Sequence, residues 1–266
     1  MLGTIIRQNS TLWSDWNFRL ATKAPAFSPG SLTRDKILSN CGKSLEALGL
    51  AKIDLYYLHG PDSQTPIEEQ VDAMAELHAS GKFERWGVSN ISAEVVRNMH
   101  KYAVSKGYAP PKVYQGVYNP LHRTVEEGLF PVLKDLDMVF YGYSPLAGGL
   151  FAKDIDQILK PEKGTRYDEM KVFGGIYLSE RNVAGLRTLT EKCNEHGITV
   201  LEATMRWFMH HSKLREVDGV ILGASTQQQI ERSLGFAHQG PLSDALVDAF
   251  QDLWTPQKDN PPAFGF

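Results

Sequence analysis

The chain has 266 residues, 42% of them hydrophobic, and a formal net charge of -3 at pH 7. This length is enough to bury a full core in one large domain or in two small ones. The near-neutral balance, without a basic run, argues against a nucleic-acid partner. No stretch approaches the ~18 consecutive apolar residues of a membrane span, and the apolar start is too short for a signal peptide. We therefore expect a cytoplasmic protein that contacts neither nucleic acid nor membrane.

Cysteine and histidine give no sign of a metal site. The two cysteines, Cys41 and Cys193, are far apart in helical patterns and lack a CxxC spacing. We expect buried, reduced thiols, as is usual in the cytoplasm. The pair His210-His211 has no acidic residue at ligand spacing, so we expect no metal there.

The first third of the chain alternates strand-like and helix-like patterns. Apolar residues recur at helical spacing from Ile37 to Leu48, and Thr65-Pro66 is a typical helix start. We predict a helix and a turn over 1–16, a strand over 18–23, a helix from 31 to about 48, a strand over 53–59 and a helix from 66 to about 80.

The same alternation continues to the end of the chain. We predict strands over 86–90, 113–118, 138–144 and 219–223, with helices after Ser92 and over about 124–134, 180–195, 200–210, 227–236 and 242–253. Residues 151–178 have no clean period, and a loop of that length in a compact domain is usually functional or mobile. Residues 255–266 read as a C-terminal tail.

The strand over 53–59 ends at His59, which Gly60-Pro61 follows. Side chains alternate along a strand, so Leu55 and Tyr57 are expected on the same face as His59. In α/β folds the catalytic residues lie at the carboxyl ends of the parallel strands, so a titratable residue at this position is a candidate catalytic residue. The alternative is a core histidine that hydrogen-bonds a neighbouring backbone group.

Six strands, each followed by a helix, are typical of a parallel (β/α) TIM-type barrel. No G-x-G-x-x-G turn follows the early strands, which argues against a doubly wound dinucleotide-binding fold. We expect one domain over 1–266.

Several stretches, taken together and in order, resemble the aldo-keto reductase superfamily, and most closely its aflatoxin-aldehyde-reductase-like branch. Each motif is weak alone, but six in register cover nearly the whole chain. They are Ala21-Thr22-Lys23, Ile53 to Asp62, Gly87 to Asn90, Tyr114 to Asn119, Tyr143 to Gly149, and Gly223 to Thr226 with Gln229.

The resemblance implies a barrel that binds NADPH at its C-terminal face and passes a hydride to a carbonyl carbon. Lys23 and His59 match two catalytic residues of the family. Ser89, Asn90 and Gln115 match residues that hold the nicotinamide carboxamide, which needs both donors and acceptors. The same residues could instead be a strand-end cap and a satisfied core amide.

The later motifs match the rest of the cofactor site. Tyr143 would stack on the nicotinamide ring, and the backbone from Ser144 through Leu146 and Gly148 to Gly149 would follow the pyrophosphate. Ser225, Thr226 and Gln229 would lie around the adenosine 2'-phosphate at a helix start. Gln229 cannot supply an arginine's charge, so Arg232 is the residue expected to compensate. Tyr143 could equally be a packing aromatic, and Gly148-Gly149 a plain turn.

The resemblance begins after the two family strands that carry a catalytic Asp and a catalytic Tyr. We therefore expect an N-terminally incomplete barrel, with about six of eight strands and an incomplete catalytic tetrad. A homo-oligomer that covers the open edge is one expected solution.

Three functions follow from this pattern. The first is NADPH-dependent reduction of an aldehyde or ketone, in detoxification or secondary metabolism, by the residual pair Lys23 and His59. The second is a non-redox reaction (isomerisation, dehydration or cyclisation) in which Lys23 and His59 act as acid and base, because a lysine in an apolar pocket has a lowered pKa. The third is a non-catalytic NADPH-binding protein. Tyr57 is a further hypothesis for a substitute phenol.

Overall fold

The computed structural model describes residues 2–9 and 18–258. These residues form two compact units. Within the described residues, the first comprises 2–9, 18–115 and 131–139, and the second comprises 116–130 and 140–258. The predictions for residues 10–17 and 259–266 lie outside the described residues, and the single domain over 1–266 stays a prediction.

The first unit alternates helices and strands along the chain. Helix α2 illustrates the local rules, since it begins after Thr33 in extended conformation and ends at Gly49 with a φ of 72°. Its Ile37, Cys41 and Leu45 are buried at helical spacing. The elements are α1 (Leu2–Gln8), β1 (Ala21–Ala24), α2 (Arg34–Leu48), β2 (Ile53–Leu58), α3 (Ile67–Ala79), β3 (Phe83–Ser89), α4 (Ala93–Ser105) and β4 (Val113–Val117).

The second half of the chain contains the remaining elements. Ser179 and Thr199 cap two of its helices through their side-chain oxygens. The elements are α5 (Val125–Gly128), α6 (Phe130–Asp135), β5 (Val139–Tyr143), a 3-10 turn (Ala147–Gly149), α7 (Ile155–Leu159), α8 (Arg166–Glu169), α9 (Val172–Tyr177), α10 (Glu180–Glu195), α11 (Val200–His210), β6 (Gly219–Val220), α12 (Gln227–Ala237), α13 (Asp244–Trp254) and a last 3-10 turn (Thr255–Gln257).

The described strands pair in parallel with their sequence neighbours: β1 with β2, β2 with β3 and β3 with β4 in the first unit, and β5 with β6 in the second. In the first unit, Lys23 of β1 lies level with Tyr57 of β2, and Ser89 of β3 lies level with Gln115 of β4. Because parallel neighbours end at the same edge, this register brings the ends of β1 to β4 together. The predicted parallel α/β fold with helices between strands is confirmed.

Several predicted boundaries were wrong, for identifiable reasons. The helix over 124–134 is broken between Gly128 and Phe130, because Pro131 has no N–H for the helical ladder. The last strand covers Gly219–Val220 rather than five residues. The irregular segment 151–178 contains three short helices, too short for a helical period to show in the sequence.

Candidate active site

Lys23 is the third residue of β1, and its side chain is half-buried. Its Nζ atom lies 5.3 Å from the ring centroid of Tyr57 on β2, within the range of a cation–π contact. Burial lowers the pKa of Lys23 below its usual value. Over residues 2–9 and 18–258, no carboxylate forms an ion pair with Lys23. The surroundings therefore favour the neutral amine more than water does.

His59 follows β2 directly, one residue beyond the strand in which it was predicted. Its backbone N–H donates to the carbonyl of Ala24 at 3.2 Å, which extends the pairing with β1. Burial, and second the positive charge of Lys23, lowers the pKa of His59. The imidazole is consequently neutral at pH 7 and can donate one N–H while it remains uncharged.

Tyr57 does not suit the role of a substitute phenol. Its side chain is 0% exposed, and its hydroxyl oxygen is buried. A substrate cannot reach that oxygen without opening the core. Tyr57 instead forms the surface beneath the Lys23 ammonium.

The predicted carboxamide-binding residues lie at the ends of β3 and β4. Ser89 is 1% exposed and Gln115 is 9% exposed, at matching positions of the two strands. Asn90 adopts a φ of 56°, and its Nδ2 donates to the His59 carbonyl and to Ser89 Oγ, both at 3.0 Å. The Asn90 amide therefore fixes the end of β3 to the end of β2.

Gln115 differs from Asn90, because its amide makes no hydrogen bond to another side chain or loop within the described part of the chain. Buried amides are usually paired with protein or water. An amide that is nearly buried and still has donors and acceptors to offer matches what a carboxamide ligand needs.

In the second unit, Tyr143 ends β5 and leads into a tight turn. Burial raises the pKa of Tyr143 to about 12. The carbonyl of Ser144 accepts from Asn119 Nδ2 at 3.1 Å and from the Ala147 N–H at 3.0 Å. The φ of Ser144 is 53°. The half-buried Leu146 leads into the 3-10 part of this turn.

Gly148 and Gly149 are required for different reasons. A Cβ at Gly148 would lie 2.9 Å from the ring of Phe173, so a side chain there would displace a packed aromatic. Gly149 has open space around it, but its φ of 107° is one that only glycine adopts readily.

Three aromatic residues of the 151–178 segment pack on or beside this turn. The hydroxyl of Tyr167 donates to the Ala147 carbonyl at 2.7 Å, and Asn119 Nδ2 donates to the Tyr177 hydroxyl at 3.0 Å. Phe173 stacks on Tyr177 with ring centroids 6.3 Å apart. Sequence reasoning missed these roles, although the aromatic residues of this irregular segment were a usable signal.

Ser225, Thr226 and Gln229 are exposed at the start of α12. Thr226 caps the helix by accepting from the Gln229 N–H at 3.3 Å, and Gln229 Oε1 accepts from the N–H and the hydroxyl of Ser225. This arrangement closely resembles a capping box. The guanidinium of Arg232 lies over the Phe236 ring, 5.4 Å from its centroid.

The comparison with protein-family models decides the family. A model described as "Aldo/keto reductase family" matches residues 1–255. The chain belongs to the aldo/keto reductase family. The resemblance drawn from the motifs is thereby confirmed, and the alternating parallel fold is consistent with the barrel of this family.

Curated relatives support the same assignment and indicate its branch. The chain is 39% identical over 254 residues to "Oxidoreductase sirO" of Leptosphaeria maculans, covering 93% of this chain and 76% of that protein. It is 37% identical over 255 residues to the human "Aflatoxin B1 aldehyde reductase member 4", covering 91% and 76%. The human "Aflatoxin B1 aldehyde reductase member 2" is 37% identical over 254 residues, covering 90% and 70%.

The described residues lack both a membrane-spanning helix and a metal-binding cluster. They contain no helix long and apolar enough to cross a membrane. They also contain no group of three or more His, Cys, Asp or Glu side chains placed to hold a metal ion.

Proposed function

We propose that this aldo/keto reductase family member is an NADPH-dependent reductase of aldehydes or ketones. The observation that carries the proposal is the placement of Lys23 and His59 at the ends of adjacent strands, beside Ser89, Asn90 and Gln115. The names of two human relatives, each an aldehyde reductase, favour an aldehyde as the substrate.

The donor set in the first unit suits the nicotinamide end of the cofactor. Gln115 offers a nearly buried amide, and Ser89 offers a hydroxyl that already accepts one hydrogen bond. Asn90 Nδ2 donates to the His59 carbonyl and to Ser89 Oγ, so Asn90 holds the ends of β2 and β3 in place beside these groups. A bound nicotinamide would supply the hydride.

His59 and Lys23 would act on the carbonyl group of the substrate. The neutral His59 donates an N–H to the carbonyl oxygen, which polarises the carbon and orients it. The positive charge of Lys23, when protonated, stabilises the negative charge that develops on that oxygen. Lys23 also supplies the proton that completes the alcohol. The proposal rests on Lys23 and His59, the two positions of this chain that match catalytic residues of the family.

The second unit, taken by itself, has groups that suit an anion. The turn from Ser144 to Gly149 suits a pyrophosphate, because Gly149 leaves the backbone uncovered. Ser225 and Thr226 precede α12, whose first N–H groups favour an anion. Since Gln229 is neutral and Arg232 lies over Phe236, we expect weaker preference for NADPH over NADH than an arginine at position 229 would give.

A specific observation also favours the non-redox alternative. Lys23 has a pKa lowered by burial and no carboxylate partner in the described ranges, which are the properties of a general base. In that case Lys23 removes a proton next to a carbonyl while His59 holds the oxygen, and no hydride moves.

The first experiment is a titration of the purified chain with NADPH, followed by Tyr and Trp fluorescence quenching, and then an assay with 4-nitrobenzaldehyde and simple aliphatic aldehydes. Binding with consumption of NADPH supports the reductase. Binding without turnover supports the non-catalytic alternative, and no binding contradicts both. Light scattering on the same sample tests the predicted homo-oligomer, and fractionation of cells tests the predicted cytoplasmic location.

A further inference from the structure

The carboxylate of Asp62 links the 25–33 loop, which lies between β1 and α2, to the segment that follows His59. Asp62 Oδ1 accepts from the N–H groups of Gly30 at 2.7 Å and Gln64 at 3.0 Å. Asp62 Oδ2 accepts from the N–H of Leu32 at 2.7 Å and the hydroxyl of Thr65 at 2.6 Å. Burial disfavours the charged carboxylate, but these hydrogen bonds outweigh it and hold the pKa of Asp62 well below its usual range. The side chain is thus fully used in joining residues 30–32 to residues 62–65.

The loop that Asp62 fixes carries Phe27, and Phe27 contacts His59. The two rings meet edge-to-face, with centroids 5.2 Å apart and planes at 72°. Phe27 has a φ of 70°, which is disfavoured for a bulky side chain and persists only where neighbouring contacts hold it. Its N–H donates to the Pro61 carbonyl at 3.3 Å.

The lack of a side chain at Gly60 is independent evidence that the sequence accommodates the Phe27 ring at this position. A Cβ at position 60 would lie 2.3 Å from a ring carbon of Phe27. The ring therefore occupies the space that glycine leaves directly after His59. Phe27 is 41% exposed, so its position is not secured by burial in the core.

We propose that Asp62 is a positioning residue for His59: it fixes the 25–33 loop, the loop holds Phe27, and the Phe27 ring orients the imidazole and shields it from water. Asp62 does not touch the substrate in this account. The predicted effect on turnover rests on the proposed reductase function, whereas the predicted effect on the imidazole does not.

The pKa of the His59 imidazole is the quantity that tests the proposal. Burial is the larger cause of the lowered pKa of His59, and Lys23 is the charged group that contributes second. Loss of Phe27 admits water and leaves Lys23 in place, so the pKa of His59 rises toward its ordinary value.

The experiment is an NMR titration of the His59 imidazole in the full chain, assigned by its absence from His59→Gln. Asp62→Asn keeps the size of the side chain but loses the charge and one acceptor oxygen. Phe27→Leu removes the ring, and Gly60→Ala displaces it, while both leave Asp62 intact. All three variants are expected to raise the His59 pKa.

Asp54→Asn is the matched control, because Asp54 lies near the opposite end of β2. Its carboxylate accepts from the Leu20 N–H at 2.5 Å and from Arg19 at 3.2 Å, and it has no contact with Phe27. The His59 pKa is expected to stay at the wild-type value in this control. If Asp62→Asn does not fold, Thr65→Val replaces it, since this change removes one donor to the carboxylate.

The proposal is overturned if Asp62→Asn, or Thr65→Val in its place, leaves the pKa of His59 at the wild-type value. It is also overturned if Asp54→Asn raises this pKa by the same amount. Where the wild type reduces an aldehyde, Asp62→Asn is also expected to lower kcat about tenfold or more with NADPH affinity within about twofold, because His59 acts on the carbonyl. Absence of wild-type reduction contradicts the proposed function only, and the titration still decides the role of Asp62.

Discussion

The ends of β1 to β4 and the start of α12 were both predicted to be parts of one cofactor site, yet they are built very differently. Ser89 and Gln115 are nearly buried on neighbouring strands. Ser225 and Gln229 are exposed, and their polar groups hydrogen-bond each other. The first region has an amide available for a ligand, whereas the second already uses its groups as a helix cap.

A matching motif is therefore stronger evidence for ligand binding in the first region than in the second. A buried polar side chain costs stability unless a partner satisfies it, so its presence needs an explanation. An exposed capping group is explained by the helix alone. The function proposed above therefore depends mainly on the first region, and the following predictions test that division.

The largest effect is expected from His59→Ala. Loss of the N–H that polarises the carbonyl should lower kcat/KM for aldehyde reduction by about 100-fold or more, in the range of acid–base groups. Steady-state kinetics measure it, with the exposed His196→Ala as the control. Unchanged turnover would remove His59 from the site.

Next in size is the contrast between Gln115→Ala and Gln229→Ala. Gln115→Ala should weaken NADPH binding about tenfold, which corresponds to about 1.4 kcal/mol and to one or two lost hydrogen bonds. Gln229→Ala should change it about twofold or less. Fluorescence titration compares the two, and equal losses would contradict the distinction between the regions.

A smaller effect is expected on stability at the start of α12. Thr226→Ala should lower the free energy of unfolding by about 1 kcal/mol, because Thr226 accepts from the Gln229 N–H. Ser243→Ala is the matched comparison, since Ser243 precedes α13 without a side-chain cap bond. Urea denaturation of both should show the larger loss at Thr226. A loss of NADPH binding in Thr226→Ala without any loss of stability would point to a ligand instead of a cap.

The smallest effect concerns pH. Because the folded-state pKa of His59 is lowered, the unfolded chain binds more protons between that pKa and about 6.5. The contribution of His59 to stability is therefore present above this window and is lost as the pH falls through it. The difference in stability between wild type and His59→Gln should shift against the wild type as the pH is lowered. A constant difference across the window would contradict the lowered pKa.

The sequence was most informative where side chains follow regular strands. The alternation of strands and helices and Ser92 as a cap follow from local patterns. The pairing of Lys23 with His59 was implied only by the family motifs. The contacts of Asp62 and Phe27 could not be predicted from the sequence, because they join residues about 30 positions apart. The hydrogen bond between the Leu32 N–H and Asp62 is an example. The short last strand was overestimated, since the apolar Ile221 and Leu222 read as strand while only Gly219–Val220 pair as one.

The most direct test of the central claim is the fate of deuterium from [4,4-²H₂]NADPH during the reaction with an aldehyde. The account predicts that mass spectrometry will find one deuterium in the alcohol formed by the wild type. It also predicts that labelled alcohol will be nearly absent with His59→Ala. Conversion of the carbonyl compound without any deuterium in the product would contradict hydride transfer and would leave the acid–base chemistry of Lys23 and His59 as the remaining account.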